Sequence, residues 1–238
     1  MATAAPAESR TKPWIVELYS TALGKKYAMA ISGIVGLGYV VAHMVGNLKM
    51  YLGAEDINHY GEFLREGLLV PILPETYMLW IMRFALIGAL AIHLHAAWSL
   101  TVINRNARPV DYQAPRDYVA ADFAARTMRW TGIIVLLFIG FHLADLTWGT
   151  TNPDYIRGDV YHNVIASFER VPVAIFYIVA QLALGFHLFH GIWSLFQSLG
   201  INNSRFNHYR RGLAIGLTLV VVAGNISFPV AVLTGVIG

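Results

Sequence analysis

The sequence predicts an all-α integral membrane protein with five transmembrane helices, the first four forming a cofactor-holding bundle. Three observations carry that expectation. Of 238 residues, 56% are hydrophobic and only 13% charged, with a mean hydropathy of +0.53, whereas a soluble domain carries about 25% charged residues. Five apolar stretches each approach the ~20 residues that cross a bilayer, and with their connections they use up the length. Histidine, finally, recurs inside four of the five: His43, His93 with His95, His142, and His187 with His190.

Taken in order, residues 1–25 form a polar cytoplasmic arm, with an amphipathic approach to the membrane around Trp14–Tyr19. The arm has no apolar core of the kind a cleavable signal peptide needs. The spans run about 26–50, 77–103, 127–149, 171–199 and 212–236, and the whole of 1–238 forms one membrane domain. The first span is rich in glycine (Gly33, Gly36, Gly38, Gly46), which lets neighbouring backbones or a flat macrocycle approach closely. Pro71 and Pro74 punctuate the connection before the second span.

Charge sets the orientation. With helix-start residues included, the arm and the second and fourth connections hold twelve of the seventeen Lys and Arg, and the first and third connections hold most of the acids. Lys and Arg stay on the cytoplasmic side, so the N-terminus is inside and the C-terminus outside. The expected location is the inner (plasma) membrane. The net charge of +3 follows topology and implies no nucleic-acid partner.

An ionisable group at membrane depth costs roughly 2.5 kcal/mol or more unless paired or ligated. At about 1.5 Å of rise per residue, His43 and His142 fall late in outward-going helices. His95 and His187 fall in the inner half. The histidines therefore sort into an outer pair, His43 with His142, and an inner pair, His95 with His187. His93 and His95 lie two apart on nearly opposite faces, so only one can look inward. His187 and His190 share a face.

Cysteine is absent, which excludes thiolate-held iron–sulfur clusters, covalent c-type haem and disulfides. Zinc sites are local and tetrahedral, whereas these imidazoles are dispersed over four helices. Two axial imidazoles suit a low-spin electron-transfer haem, so the expected cofactors are two b haems. Haem propionates need cationic or hydrogen-bonding partners. Candidates are Arg129, Arg126 and Lys26 near the inner pair, and Arg83 and Asn47 near the outer one. Glu62, Glu66 and Asp145 are candidate carboxylate relays for a quinone on the outer side.

Several segments resemble a known family. GKKYAMAISGIVGLGYVVAHMVGNLKMYLG followed by INHYGEFLR, then HAAWSL, TMRWTGIIVLLFIGFHLADLTWG and FHLFHGIWSLFQSLG, resemble in order the single-chain di-haem cytochrome b anchor subunit of succinate dehydrogenase and fumarate reductase. The resemblance covers roughly residues 15–210. It implies axial ligands at His43, His95, His142 and His187, favouring His95 because the ligand precedes the Ala-Ala-Trp-Ser segment, and leaving His190 as a neighbour. It also implies a flavoprotein and an iron–sulfur subunit as partners, electron transfer to menaquinone, and no succinate-oxidising site in this chain. The rival readings are a haem-free histidine proton relay, which predicts an internal repeat with broken helices, and the haem subunit of another respiratory dehydrogenase.

Overall fold

The computed structural model describes residues 13–70, 72–107, 123–201 and 203–238. The arm through residue 12, Pro71, and Arg108 and Arg116 lie outside the described residues, as does the side chain of Arg126. The described chain is helical throughout: α1 (Trp14–Ser20), α2 (Ala22–Asn47), α3 (Ala54–Glu62), α4 (Tyr77–Asn106), α5 (Phe123–Leu146), α6 (Val160–Phe168), α7 (Val171–Ser198) and α8 (Asn207–Leu233). Five helical segments are long and apolar enough to cross a membrane: Ala22–Leu52, Tyr77–Asn106, Thr127–Leu146, Val171–Ser198 and Asn207–Leu233. The protein is a multi-pass, all-α membrane protein. Its apolar side chains face outward as well as inward, with Phe84 66%, Trp98 72% and Leu137 68% exposed, as lipid-facing helices require.

The spans assemble as two hairpin-like pairs, α2 with α4 and α5 with α7. The contact between the pairs, α2 against α7, is much sparser. α8 packs along α7 and also reaches α2, closing one side. Small residues permit that packing: Ala174 and Ala180 on α7 and Ala214 on α8 are fully buried.

The ends are fixed by local chemistry. Thr21 caps α2 by accepting from the Gly24 N–H (2.9 Å), while its hydroxyl donates to the Leu18 carbonyl (2.7 Å). A Cβ at Gly24 would lie 1.9 Å from that carbonyl oxygen, so glycine is what lets α1 fold against α2. At the end of α5, Gly149 has φ +72° and a Cβ there would sit 2.3 Å from the Tyr155 ring. At the opposite end of the bundle from the α2 N-terminus, Asn58 of α3 caps a different helix, accepting from the Val160 N–H (2.8 Å) and the Tyr161 N–H (3.1 Å) of α6. Its amide donates to Asp159 (2.9 Å), which in turn accepts from the His162 N–H (3.0 Å). The connections after α2 and α5 are thereby clamped together.

Candidate haem site

Two pairs of imidazoles face each other across the gap between the hairpins. His43 on α2 and His142 on α5 have ring centroids 5.8 Å apart and planes inclined at 57°. His93 on α4 and His187 on α7 have centroids 6.2 Å apart and planes inclined at 60°. Metal–imidazole nitrogen bonds of about 2.0–2.1 Å put two trans imidazole centroids roughly 6 Å apart, so both spacings fit one metal between two rings. Among the described residues no group of three or more His, Cys, Asp or Glu converges as a metal site. Paired imidazoles with an open slot between helix hairpins suit a flat macrocycle better than a tetrahedral ion.

The inner partner differs from the sequence expectation. The structure places His93, and not His95, opposite His187. Residues two apart on a helix point about 200° away from each other, and the packing of α4 on α2 turns His93 inward. His95 is exposed on the other face, where its Nδ1 meets the Tyr19 hydroxyl at 2.5 Å and the two rings stack. It ties α1 to α4. Helix position agrees with this exchange, because His93 and His187 each lie sixteen residues beyond the first residue of their helix.

All four facing imidazoles are anchored through the same nitrogen. His93 Nδ1 lies 3.2 Å from the Met29 carbonyl and 3.3 Å from the Ser32 hydroxyl. His187 Nδ1 lies 3.5 Å from the Thr131 hydroxyl, and the Met128 carbonyl also hydrogen-bonds this ring. Both hydroxyls donate back to carbonyls of their own helix, leaving oxygen lone pairs free to accept an imidazole N–H. His43 Nδ1 is 2.9 Å from the Asn47 carboxamide nitrogen; with the amide turned over, its oxygen would accept Nδ1–H from the same position. His142 Nδ1 is 3.5 Å from the Tyr177 hydroxyl. Anchoring Nδ1–H in this way selects the tautomer whose Nε2 lone pair is free for a metal.

The inner pair is built by a short repeat. Met-x2-Ser/Thr-Gly-x9-His occurs as Met29, Ser32, Gly33, His43 and again as Met128, Thr131, Gly132, His142. A Cβ at Gly33 would lie 3.6 Å from His93 Cε1, and one at Gly132 would lie 3.3 Å from His187 Cε1. In both hairpins the first helix thus contributes one imidazole, and offers a carbonyl, a hydroxyl and a glycine to the imidazole of the second. The repeat was legible in the sequence, since it needs only a comparison of the first and third spans. Its helices are unbroken, unlike those a transporter repeat requires. Each glycine lies ten positions before the histidine on its own helix, so the two pairs lie about 15 Å apart in depth.

Comparison with known proteins finds two likenesses. Residues 123–226 match the model of the succinate dehydrogenase/fumarate reductase transmembrane subunit. The succinate dehydrogenase cytochrome b558 subunit of Bacillus subtilis (strain 168) is 27% identical over 175 residues, covering 72% of this chain and 77% of the relative. Over that stretch the chain is similar to the membrane subunits of succinate dehydrogenase and fumarate reductase. No solved structure matches it. The matched range contains α5, α6, α7 and two of the four facing histidines, His142 and His187.

The remaining candidate residues scatter around the pairs. Arg83 is exposed on α4 with its guanidinium 4.9 Å from the Trp80 ring. It is also close enough to Tyr39 to act on it electrostatically, and Tyr39 packs against His43 at 5.4 Å. Arg129 is exposed on α5, adjoining Met128, and Lys26 is exposed near the start of α2. His190 is half-buried one turn beyond His187. Glu62 and Glu66 are exposed in the connection between α2 and α4. Asp145 is different: it is 0% exposed and ion-paired to Arg170 at 2.6 Å.

Proposed function

We propose that this subunit is the electron-carrying membrane anchor of a succinate:quinone oxidoreductase, and that it holds two b haems. The outer haem is held by His43 and His142, the inner one by His93 and His187. The observation that carries the reading is the pair of opposed imidazole couples, spaced for one metal each and stacked at two depths. Haem bound there supplies one-electron carriers of b type. The chain's own part is to present Nε2 from both sides, hold Nδ1–H on fixed acceptors, and keep water out with its apolar helix faces. Arg83 borders the outer pair and Arg129 the inner one as partners for propionates.

The partners in this proposal are a flavoprotein subunit that oxidises succinate and an iron–sulfur subunit on the cytoplasmic side. The basic cytoplasmic ends, among them Lys25, Lys26, Arg105, Arg205 and Arg211, orient the chain with its N-terminus inside. Electrons leave to a quinone, menaquinone by the resemblance. The same frame serves fumarate reduction when run in reverse.

The test is a dithionite-reduced minus oxidised spectrum of the purified complex, with pyridine haemochrome quantified per copy of this chain. The expected result is two b haems per copy. One would leave a histidine pair without its ligand role, and none would refute the proposal.

A further inference from the structure

The outer pair is not symmetric, and the asymmetry lies behind His142. His43 rests on a neutral carboxamide of its own helix. His142 rests on Tyr177 of α7, whose hydroxyl donates to Asp145 Oδ2 at 3.0 Å. Asp145 has no exposure at all, and its carboxylate is saturated by other donors. Arg170 Nη2 donates to Oδ1 at 2.6 Å, the Ser167 hydroxyl to Oδ2, and the Thr151 hydroxyl to Oδ1 at 3.4 Å. Arg170 is fixed in its turn by donating to the Thr151 carbonyl at 2.7 Å. Its side chain remains 28% exposed at the outer end. Tyr177 is clamped between Phe138, Phe141 and Phe168, all at edge-to-face angles.

A buried carboxylate costs several kcal/mol unless paired and hydrogen-bonded, and here it has four donors. Because the phenol O–H is committed to Asp145, only the phenol oxygen's lone pairs are left for His142 Nδ1–H. We propose that Asp145 and Tyr177 are positioning residues that set the reduction potential of the outer haem, acting through the Nδ1–H of His142. This rests on the two-haem reading above. A stronger acceptor on Nδ1–H makes the imidazole a stronger donor to iron and favours the oxidised state. The chain thereby gives its two outer ligands unequal donor strength, one backed by a neutral amide and the other by a carboxylate.

The experiment is a redox titration of the α-band in the intact complex, wild type against Tyr177→Phe. The substitution keeps the aromatic packing and leaves Asp145 with Arg170, Ser167 and Thr151. The oxidised/reduced equilibrium of one of the two haem components should move about tenfold toward reduction, or about 59 mV for one electron, while the other stays in place. Asp145→Asn, which keeps the shape and an acceptor for the phenol, should move the same component in the same direction. If neither component moves, or both move equally, the proposal is overturned while the two-haem reading stands. A wild-type complex without haem overturns both.

Discussion

The choice between His93 and His95 gives the sharpest test, because two residues in the same span exchange roles. Under the proposed function, His93→Ala removes the ring 6.2 Å from His187 and would leave His187 alone to hold the inner haem. Haem should fall from two to one per copy, with His43 and His142 untouched some 15 Å away. In His95→Ala the loss is the hydrogen bond to Tyr19 and the ring stacking beside it. For an exposed neutral pair that is about 0.5–1.5 kcal/mol, felt as looser attachment of α1, and both haems should remain. Turning His95 inward would require rotating α4 by about 160°, which would dismantle its packing on α2. The assay is haemochrome content per copy of chain in the two purified variants, with thermal stability measured alongside. Haem loss in His95→Ala, with full haem in His93→Ala, would refute the geometric argument.

Three further outcomes follow from other parts of the structure. Gly132→Leu should displace His187, since even a Cβ would lie 3.3 Å from its Cε1; the inner haem should be lost while the chain still inserts, read from the spectrum of isolated membranes. Asn58→Ala removes the acceptor for two α6 amides and a donor to Asp159. That should cost about 1–2 kcal/mol of the outer clamp, seen as faster amide exchange in the first turn of α6. The His162 N–H and the Asn58 amide hold the Asp159 carboxyl below its ordinary value of 3.8. Its contribution to the clamp is therefore complete above that pH and disappears as acid carries it through the lower folded value. The protection factor of the His162 amide, followed from pH 5 to pH 2.5, should fall toward the acid end in wild type and stay flat in Asp159→Asn.

Much of the architecture was legible because lipid imposes it. A span must be long, apolar and helical, and the described spans begin and end within about five residues of the sequence estimates. Histidine depth was legible for the same reason, as rise per residue converts position into height. Helix phase was not. Whether His93 or His95 looks inward depends on which face of α4 meets α2, and the apolar residues of this span are spread round its whole circumference. Asp145 was singled out as a relay for a quinone, and its burial under Arg170, Ser167 and Tyr177 could not be foreseen. Those partners come from two other helices and their junction, twenty-two to thirty-two residues along the chain. The Ser32/Thr131 and Gly33/Gly132 correspondence, by contrast, stood in plain view and needed only one span laid against another.

The depth interval between the two imidazole couples has an energetic consequence. A hydrocarbon core is about 30 Å thick, so ~15 Å is about half of the membrane's electrical thickness. Under the proposed function, each electron passing from the inner to the outer couple crosses roughly half of the transmembrane voltage. With about 2.3 kcal/mol per charge per 100 mV, that is about 1 kcal/mol per electron at 100 mV. Where the cytoplasm is negative, the voltage pulls electrons outward, toward quinone reduction on the far side, and opposes the reverse flow. The spacing of two glycines from two histidines would then make this anchor's direction of travel sensitive to the energisation of its membrane.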